Sequence, residues 1–242
     1  MKTAPLDPTM KPEPVTGSVE AMKVIVQDEY GSAVVDTPPK DKGGLKISAR
    51  KTAVLVGVLF LVQMITAMIG NSLIQAFVYG DADKTRLTIG VLLGISAGVA
   101  VVGIGFLMYP VLRLVDRKLA IWYPVLRVLE LTVTAACGIY LLTQLKVVPN
   151  HLLWIYIPTG IGGLILTYLL FVSRLVPRPI AALGLVGYAL LLFGVPVDLL
   201  SSMDMNAGPG LVLLAPGGLF EFLFLPIWLF AKGFKLPEAA TN

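Results

Sequence analysis

The stretch Thr52–Tyr79, TAVLVGVLFLVQMITAMIGNSLIQAFVY, contains no charged side chain. A helix rises about 1.5 Å per residue, so about 20 apolar residues cross the roughly 30 Å hydrocarbon core of a bilayer. Further apolar runs of sufficient length follow at Leu87–Leu112, Leu119–Leu145, His151–Val172, Arg178–Leu200 and Gly208–Ala231. The sequence therefore predicts an all-α polytopic membrane protein, built as a bundle of six transmembrane helices.

The composition agrees with that class. Hydrophobic residues make up 56% of the chain and charged residues 14%, and the mean hydropathy is +0.83. These values lie outside the range of ordinary soluble domains. The net charge of +4 does not come from one basic patch, so nucleic acid is not an expected partner. The expected environment is the lipid bilayer.

Several cofactor classes are excluded by what the chain lacks. It contains one cysteine, Cys137, and one histidine, His151, so a cysteine or histidine metal site within one chain is not expected. A single histidine also cannot supply the paired axial ligands of a membrane cytochrome b. No lysine lies inside a predicted span, which excludes a retinal Schiff base. We therefore predict neither a cofactor nor a metal.

The chain divides into three parts. Residues 1–49 contain Pro5, Pro8, Pro12 and Pro14 and lack the apolar core of a signal peptide, which favours a mostly disordered tail. Residues 50–234 form the predicted transmembrane domain, and residues 235–242 form a short C-terminal tail.

Basic residues predict the orientation of the bundle. The loops between successive spans alternate between the two sides of the membrane. The loops on one side carry three basic residues, Lys84, Arg86 and Lys146. Twelve lie on the other: Lys40, Lys42, Lys46, Arg50, Lys51, Arg113, Arg117, Lys118, Arg174, Arg178, Lys232 and Lys235. Because cytoplasmic flanks are enriched in lysine and arginine, both tails should be cytoplasmic, in a bacterial plasma membrane.

Three glycines, Gly90, Gly94 and Gly98, recur every four residues on the second span. Such a smooth face lets another helix approach closely, either inside the bundle or across a homodimer. The same segment matches the nucleophile-elbow pattern of hydrolases around Ser96. That pattern requires a strand-to-helix turn, whereas Ser96 lies in mid-helix, so catalysis by Ser96 is not expected.

The most informative feature of the sequence is the presence of ionisable side chains inside the predicted spans. Arg127 and Glu130 lie three residues apart, on one face of the third span. The rise per residue places them at a depth similar to that of Glu221 in the sixth span, Gln63 in the first and Tyr188 in the fifth. Ionisable side chains in a membrane are costly and face the interior of a bundle. The five side chains should therefore converge in one layer.

Two interpretations of this polar layer stay open. In the first, Arg127 lies between Glu130 and Glu221 and braces the helices. In the second, the layer is a pocket for a small molecule, lipid, proton or ion, because one arginine cannot balance two carboxylates. The pocket hypothesis predicts a cavity beside Glu130, closed toward the outer side, with Glu130 as the protonated acid. Pro216, Gly217, Gly218 and Pro226 should bend the sixth span nearby.

Short motifs occur along the chain at Arg50–Ala53, Arg117–Trp122, Arg127–Glu130, Ser173–Arg178, Pro216–Glu221, Trp228 and Lys232–Phe234. With these motifs, residues 50–234 resemble the bacterial domain-of-unknown-function family numbered 4386. The resemblance implies a multi-pass membrane protein without an assigned activity. Separately, residues 22–32 resemble the first strand and turn of medium-chain dehydrogenases and suggest a fusion remnant.

The sequence leaves the function open among three classes. The preferred one is an intramembrane bundle that binds or senses a small molecule or ion. The second is a cofactor-free enzyme acting on a lipid or isoprenoid, with Glu130 or Glu221 as acid or base. The third is a structural subunit that docks a partner protein. A catalytic residue is not assigned.

Overall fold

The computed structural model describes residues 42–80, 83–146, 148, 150–200, 204–206 and 208–235. The dehydrogenase-like segment at residues 22–32, and most of the predicted N-terminal tail, lie outside the described residues.

The described part of the chain is helical throughout its regular structure. The first five helices are α1 (Lys42–Val78), α2 (Lys84–Leu112), α3 (Arg117–Gln144), α4 (His151–Ser173) and α5 (Arg178–Leu199). The sixth helix, α6 (Gly208–Ala231), joins a 3-10 turn, an α-helix, a π-helical turn and a second α-helix. Each of the six is long and apolar enough to cross a membrane. The predicted all-α, six-helix architecture is confirmed.

Two of the helices begin at an aspartate N-cap. Asp83 accepts hydrogen bonds from the backbone N–H groups of Thr85 and Arg86 at the start of α2. Asp116 does the same for Lys118 and Leu119 at the start of α3. These carboxylates satisfy N–H groups that have no partner within the helix. The first helix, α1, begins at Lys42 and so includes the last residues of the segment predicted as a tail. Adding residues to the end of an existing helix costs little free energy.

The six helices form a closed ring in sequence order. Each helix packs against the next one along the chain, and α6 packs back against α1. We call the end of the ring with the starts of α1, α3 and α5 the basic end, and the opposite end the distal end. At the basic end, Lys235 donates its backbone N–H to the carbonyl of Leu175 at 2.8 Å.

Packing differs between the two ends. The basic half contains a continuous core of side chains that are almost inaccessible, including Val56, Met108, Leu112, Tyr123, Leu170 and Leu229. In the distal half this core continues only with Leu153, Leu191, Val195 and Met205, and a separate, much smaller cluster joins Leu87, Val91 and Leu141. The ring is therefore filled with side chains at one end and less densely filled at the other.

The outer face of the ring is apolar. Phe106, Phe193 and Val212 are each more than 60% exposed, on three different helices. Large exposed apolar surfaces are costly in water and favourable against lipid tails. The described helices therefore belong in a lipid bilayer.

Candidate functional site

The ring brings the five predicted polar side chains together. Gln63, Glu130, Tyr188 and Glu221 line one cavity, and Arg127 lines a second, smaller cavity beside it. Four of the five are at least nine-tenths buried: Gln63, Arg127, Glu130 and Tyr188. Glu221 is only partly buried, because its side chain borders the larger cavity.

Arg127 and Glu130 form an ion pair within α3. Nη1 of Arg127 donates to Oε2 of Glu130 at 2.6 Å. The guanidinium also lies over the ring of Tyr123, with Cζ 5.0 Å from the ring centroid, which adds a cation–π attraction. Gly105 and Gly162 lie against the arginine, since a Cβ on either would be in ordinary van der Waals contact with its side chain. This pair is largely buried, and Glu130 also borders the larger cavity.

Glu221 is held by neutral donors instead. Nε2 of Gln63 donates to Oε2 of Glu221 at 2.9 Å, and the hydroxyl of Tyr188 donates to Oε1. The expectation that Arg127 lies between both carboxylates is wrong, since no ion pair joins Arg127 to Glu221. Arg127 instead pairs with Glu130, its neighbour one turn along the same helix, at little cost in chain geometry.

A small cavity of about 50 Å³ accounts for this separation. Arg127, Glu130 and Glu221 all line it, together with Tyr123 and Thr159. A water molecule occupies about 30 Å³ in the liquid and needs two to four polar partners, so this cavity has a suitable size and lining for one.

A π-helical turn, Phe220–Phe224, presents Glu221 to the interior. The N–H of Leu225 bonds to the carbonyl of Phe220, five residues earlier. Pro226 follows directly, and proline has no N–H to continue the α-helical pattern. Single π-helical turns are frequent at functional sites. The sequence predicted a bend here but not this type of turn.

The larger cavity has a volume of about 400 Å³ and is lined by all six helices. Its polar floor consists of Gln63, Glu130, Tyr188 and Glu221. From there the lining continues to Val148 and His151 at the distal end. The cavity therefore extends as far as the distal end, the side on which the sequence predicts it to be closed. Most of the fully buried side chains lie in the basic half.

The surplus carboxylate is also different from the one expected. We expected Glu130 to be the acid without a cation, because it lies deeper. The ion pair with Arg127 balances Glu130 and leaves the uncompensated carboxylate on Glu221.

The three glycines of α2 have two separate roles. A Cβ on Gly90 would lie 3.0 Å from the carbonyl oxygen of Gly70, and one on Gly98 would lie 2.7 Å from Leu131. These two positions allow α1 and α3 to approach α2, so the glycine face is used inside the bundle. The backbone of Gly94 also lies close to α1, since a Cβ on Gly70 would be 3.1 Å from its nitrogen, but the missing side chain of Gly94 points to open space. A Cβ there would have nothing within 4 Å, because Gly94 borders the cavity.

Sequence reasoning missed part of the lining. Thr134, Cys137 and Leu141 continue the row that begins at Glu130 on α3, at spacings of three and four residues. Residues at these spacings share one helix face, so the row could have been found once Glu130 was known to face inward. Ser96 is not part of the lining; its hydroxyl donates to the carbonyl of Leu92 at 2.8 Å.

A family comparison covers most of the chain. The family model described as Domain of unknown function (DUF4386) matches residues 55–151 and 139–233. The chain belongs to this family. No curated protein and no solved structure matches the chain. The family description assigns no activity, and the membrane architecture of this DUF4386 chain rests on its six long apolar helices.

Proposed function

We propose that this DUF4386 chain is an intramembrane binding protein that takes up a small, mainly apolar molecule in its 400 Å³ cavity. Ligand pockets in proteins typically measure about 300–1,000 Å³ and combine apolar walls with a few polar groups that orient the ligand. Here the walls include Met64, Met68, Val91, Leu141 and Ile155. The polar groups lie together on the floor.

The observation that carries this proposal is the position of Glu221. Its carboxylate lies at the floor of the cavity, fixed by Gln63 and Tyr188 from two other helices. A structural brace needs a matched set of charges, whereas this carboxylate keeps acceptor capacity toward open space. The Arg127–Glu130 pair fits the role of a brace, since it is largely buried and its two charges balance. The predicted layer thus contains both a brace and a site.

The side of the membrane from which the ligand enters follows from this geometry and from the distribution of basic residues. With both tails in the cytoplasm, the basic end faces inward and the cavity opens toward the outer side of the plasma membrane. The bundle would then bind a molecule from outside the cell or from the outer leaflet.

Ser96 lies away from the cavity, which favours binding over hydrolysis.

Cys137 offers a direct test, because it lines the cavity and the chain has no other cysteine. We expect 1-adamantanol, a compact neutral probe, to slow the reaction of Cys137 with N-ethylmaleimide in phosphatidylcholine nanodiscs. The slowing should saturate with probe concentration. The measurement is the modified fraction over time, by intact-protein mass spectrometry.

The matched control is a cysteine on the outer face. In a Cys137→Ser background, Val99→Cys places the thiol at a position that is 56% exposed on α2. The probe should not protect it. Equal slowing at both positions would show simple partition into the lipid and would refute the proposal, as would no slowing at Cys137.

A further inference from the structure

We infer that the ligand of this cavity carries a positive charge, as a protonated amine on an apolar body, and that Glu221 is its counter-ion. The inference rests on the proposed function and adds the chemical class of the ligand. It follows from the charges around the cavity, the geometry of Glu221 and the nature of the walls.

The charges do not balance. Glu130 and Glu221 are the carboxylates that line the larger cavity. Arg127 lines only the small cavity and directs Nη1 to Glu130 at 2.6 Å. Among the described lining residues no lysine or arginine borders the larger cavity, and His151 lies at its distal end. An uncompensated charge is costly in a bilayer, so a cationic guest is stabilised there.

The geometry of Glu221 suits a cation. Gln63 and Tyr188 each donate to a different oxygen of this carboxylate. An ionised carboxylate has about four acceptor positions, so about two stay directed elsewhere. The two donors are buried, at 7% and 2% exposed, while Glu221 itself is only partly buried. The carboxylate is therefore the group that the floor presents to a ligand.

The walls exclude a bare metal ion as the favoured guest. The described residues contain no group of three or more histidine, cysteine, aspartate or glutamate side chains that could hold one. Above the floor the lining is mainly apolar, with Met64, Met68, Leu191 and Leu214. An amine would place its charge at Glu221 and extend its hydrocarbon body toward the distal end, in contact with the apolar side chains of the walls.

Three probes with one skeleton separate charge from shape. We would compare 1-adamantanamine, 1-adamantanol and 1-adamantanecarboxylate as protectants of Cys137 in nanodiscs of neutral phosphatidylcholine. The amine should protect at a concentration about tenfold or more below that of the alcohol, since a charge-assisted hydrogen bond exceeds a neutral one by this order. The carboxylate should protect least.

Glu221→Gln then removes the charge and keeps the size of the side chain. In this variant the amine should lose its advantage over the alcohol, because glutamine offers both probes only a neutral acceptor. The readout is the ratio of the two protecting concentrations, and circular dichroism reports whether the bundle is intact. Glu221→Asp, which keeps the charge, should retain a preference for the amine.

The outcomes distinguish the two proposals. Equal protection by amine and alcohol in the wild type would overturn this inference and leave the binding function standing. An amine advantage that persists in Glu221→Gln would overturn it as well. Failure of all three probes would refute the proposed function itself.

Discussion

Replacing Arg127 with leucine lowers the free energy of unfolding by about 3–5 kcal/mol, the usual cost of breaking a buried ion pair. The side chains of Arg127 and Glu130 are 3% and 11% exposed, so the variant leaves the carboxylate of Glu130 largely buried without its cation. The cation over the Tyr123 ring is lost as well. The measurement is unfolding by titrated sodium dodecyl sulfate in mild detergent, followed by circular dichroism.

Glutamine substitutions at the two glutamates provide the controls. Adding Glu130→Gln to Arg127→Leu should recover much of the loss, because no uncompensated charge is then left at that position. Adding Glu221→Gln instead should recover little, since Glu221 is held by Gln63 and Tyr188. Equal recovery by the two glutamines, or a stable Arg127→Leu single variant, would show that the pair is not the brace described here.

Gly94→Phe should abolish protection of Cys137 by every probe while leaving the fold intact. A Cβ at this position meets nothing within 4 Å, and the position borders the cavity, so the ring of phenylalanine would enter the open space. We expect at least about a tenfold loss of probe affinity, the effect of losing roughly 1.4 kcal/mol of binding free energy. The Cys137 assay measures it.

Two neighbouring positions serve as controls for Gly94→Phe. Val99→Phe lies on the outer face of the same helix and should change neither stability nor protection. Gly98→Phe should destabilise the bundle, because even a Cβ there lies 2.7 Å from Leu131. A Gly94→Phe variant that still binds the probes would place the binding site elsewhere.

The architecture could be predicted from the sequence because it depends on run length. Apolar stretches such as Thr52–Tyr79 are long enough to cross the hydrocarbon core, and intervening charged segments such as Arg113–Lys118 cannot remain inside it. Depth also follows from the rise per residue, which by itself places Gln63, Tyr188 and Glu221 in one layer.

The sequence could not predict which polar side chains of that layer bond to one another. Depth along the membrane says nothing about how each helix is rotated about its own axis. Arg127 and Glu221 share a depth, yet a cavity of about 50 Å³ separates them. The π-helical turn at Phe220–Phe224 changes the direction of Glu221 by an amount that an ideal helix does not reveal. Likewise, spacing alone could not show that Gly90 and Gly98 pack while Gly94 borders open space.

Access to Cys137 from outside the cell tests the central claim most directly. The trimethylammonium methanethiosulfonate reagent does not cross membranes, and it would be applied to intact bacteria that express the chain. Controls in a Cys137→Ser background are Tyr79→Cys, 84% exposed at the distal end, and Leu114→Cys, 69% exposed at the basic end. A cavity that opens outward at the distal end predicts modification of Cys137 and of Tyr79→Cys, with Leu114→Cys unmodified. Modification of Tyr79→Cys without Cys137 would contradict the open cavity, and modification of Leu114→Cys alone would invert the orientation.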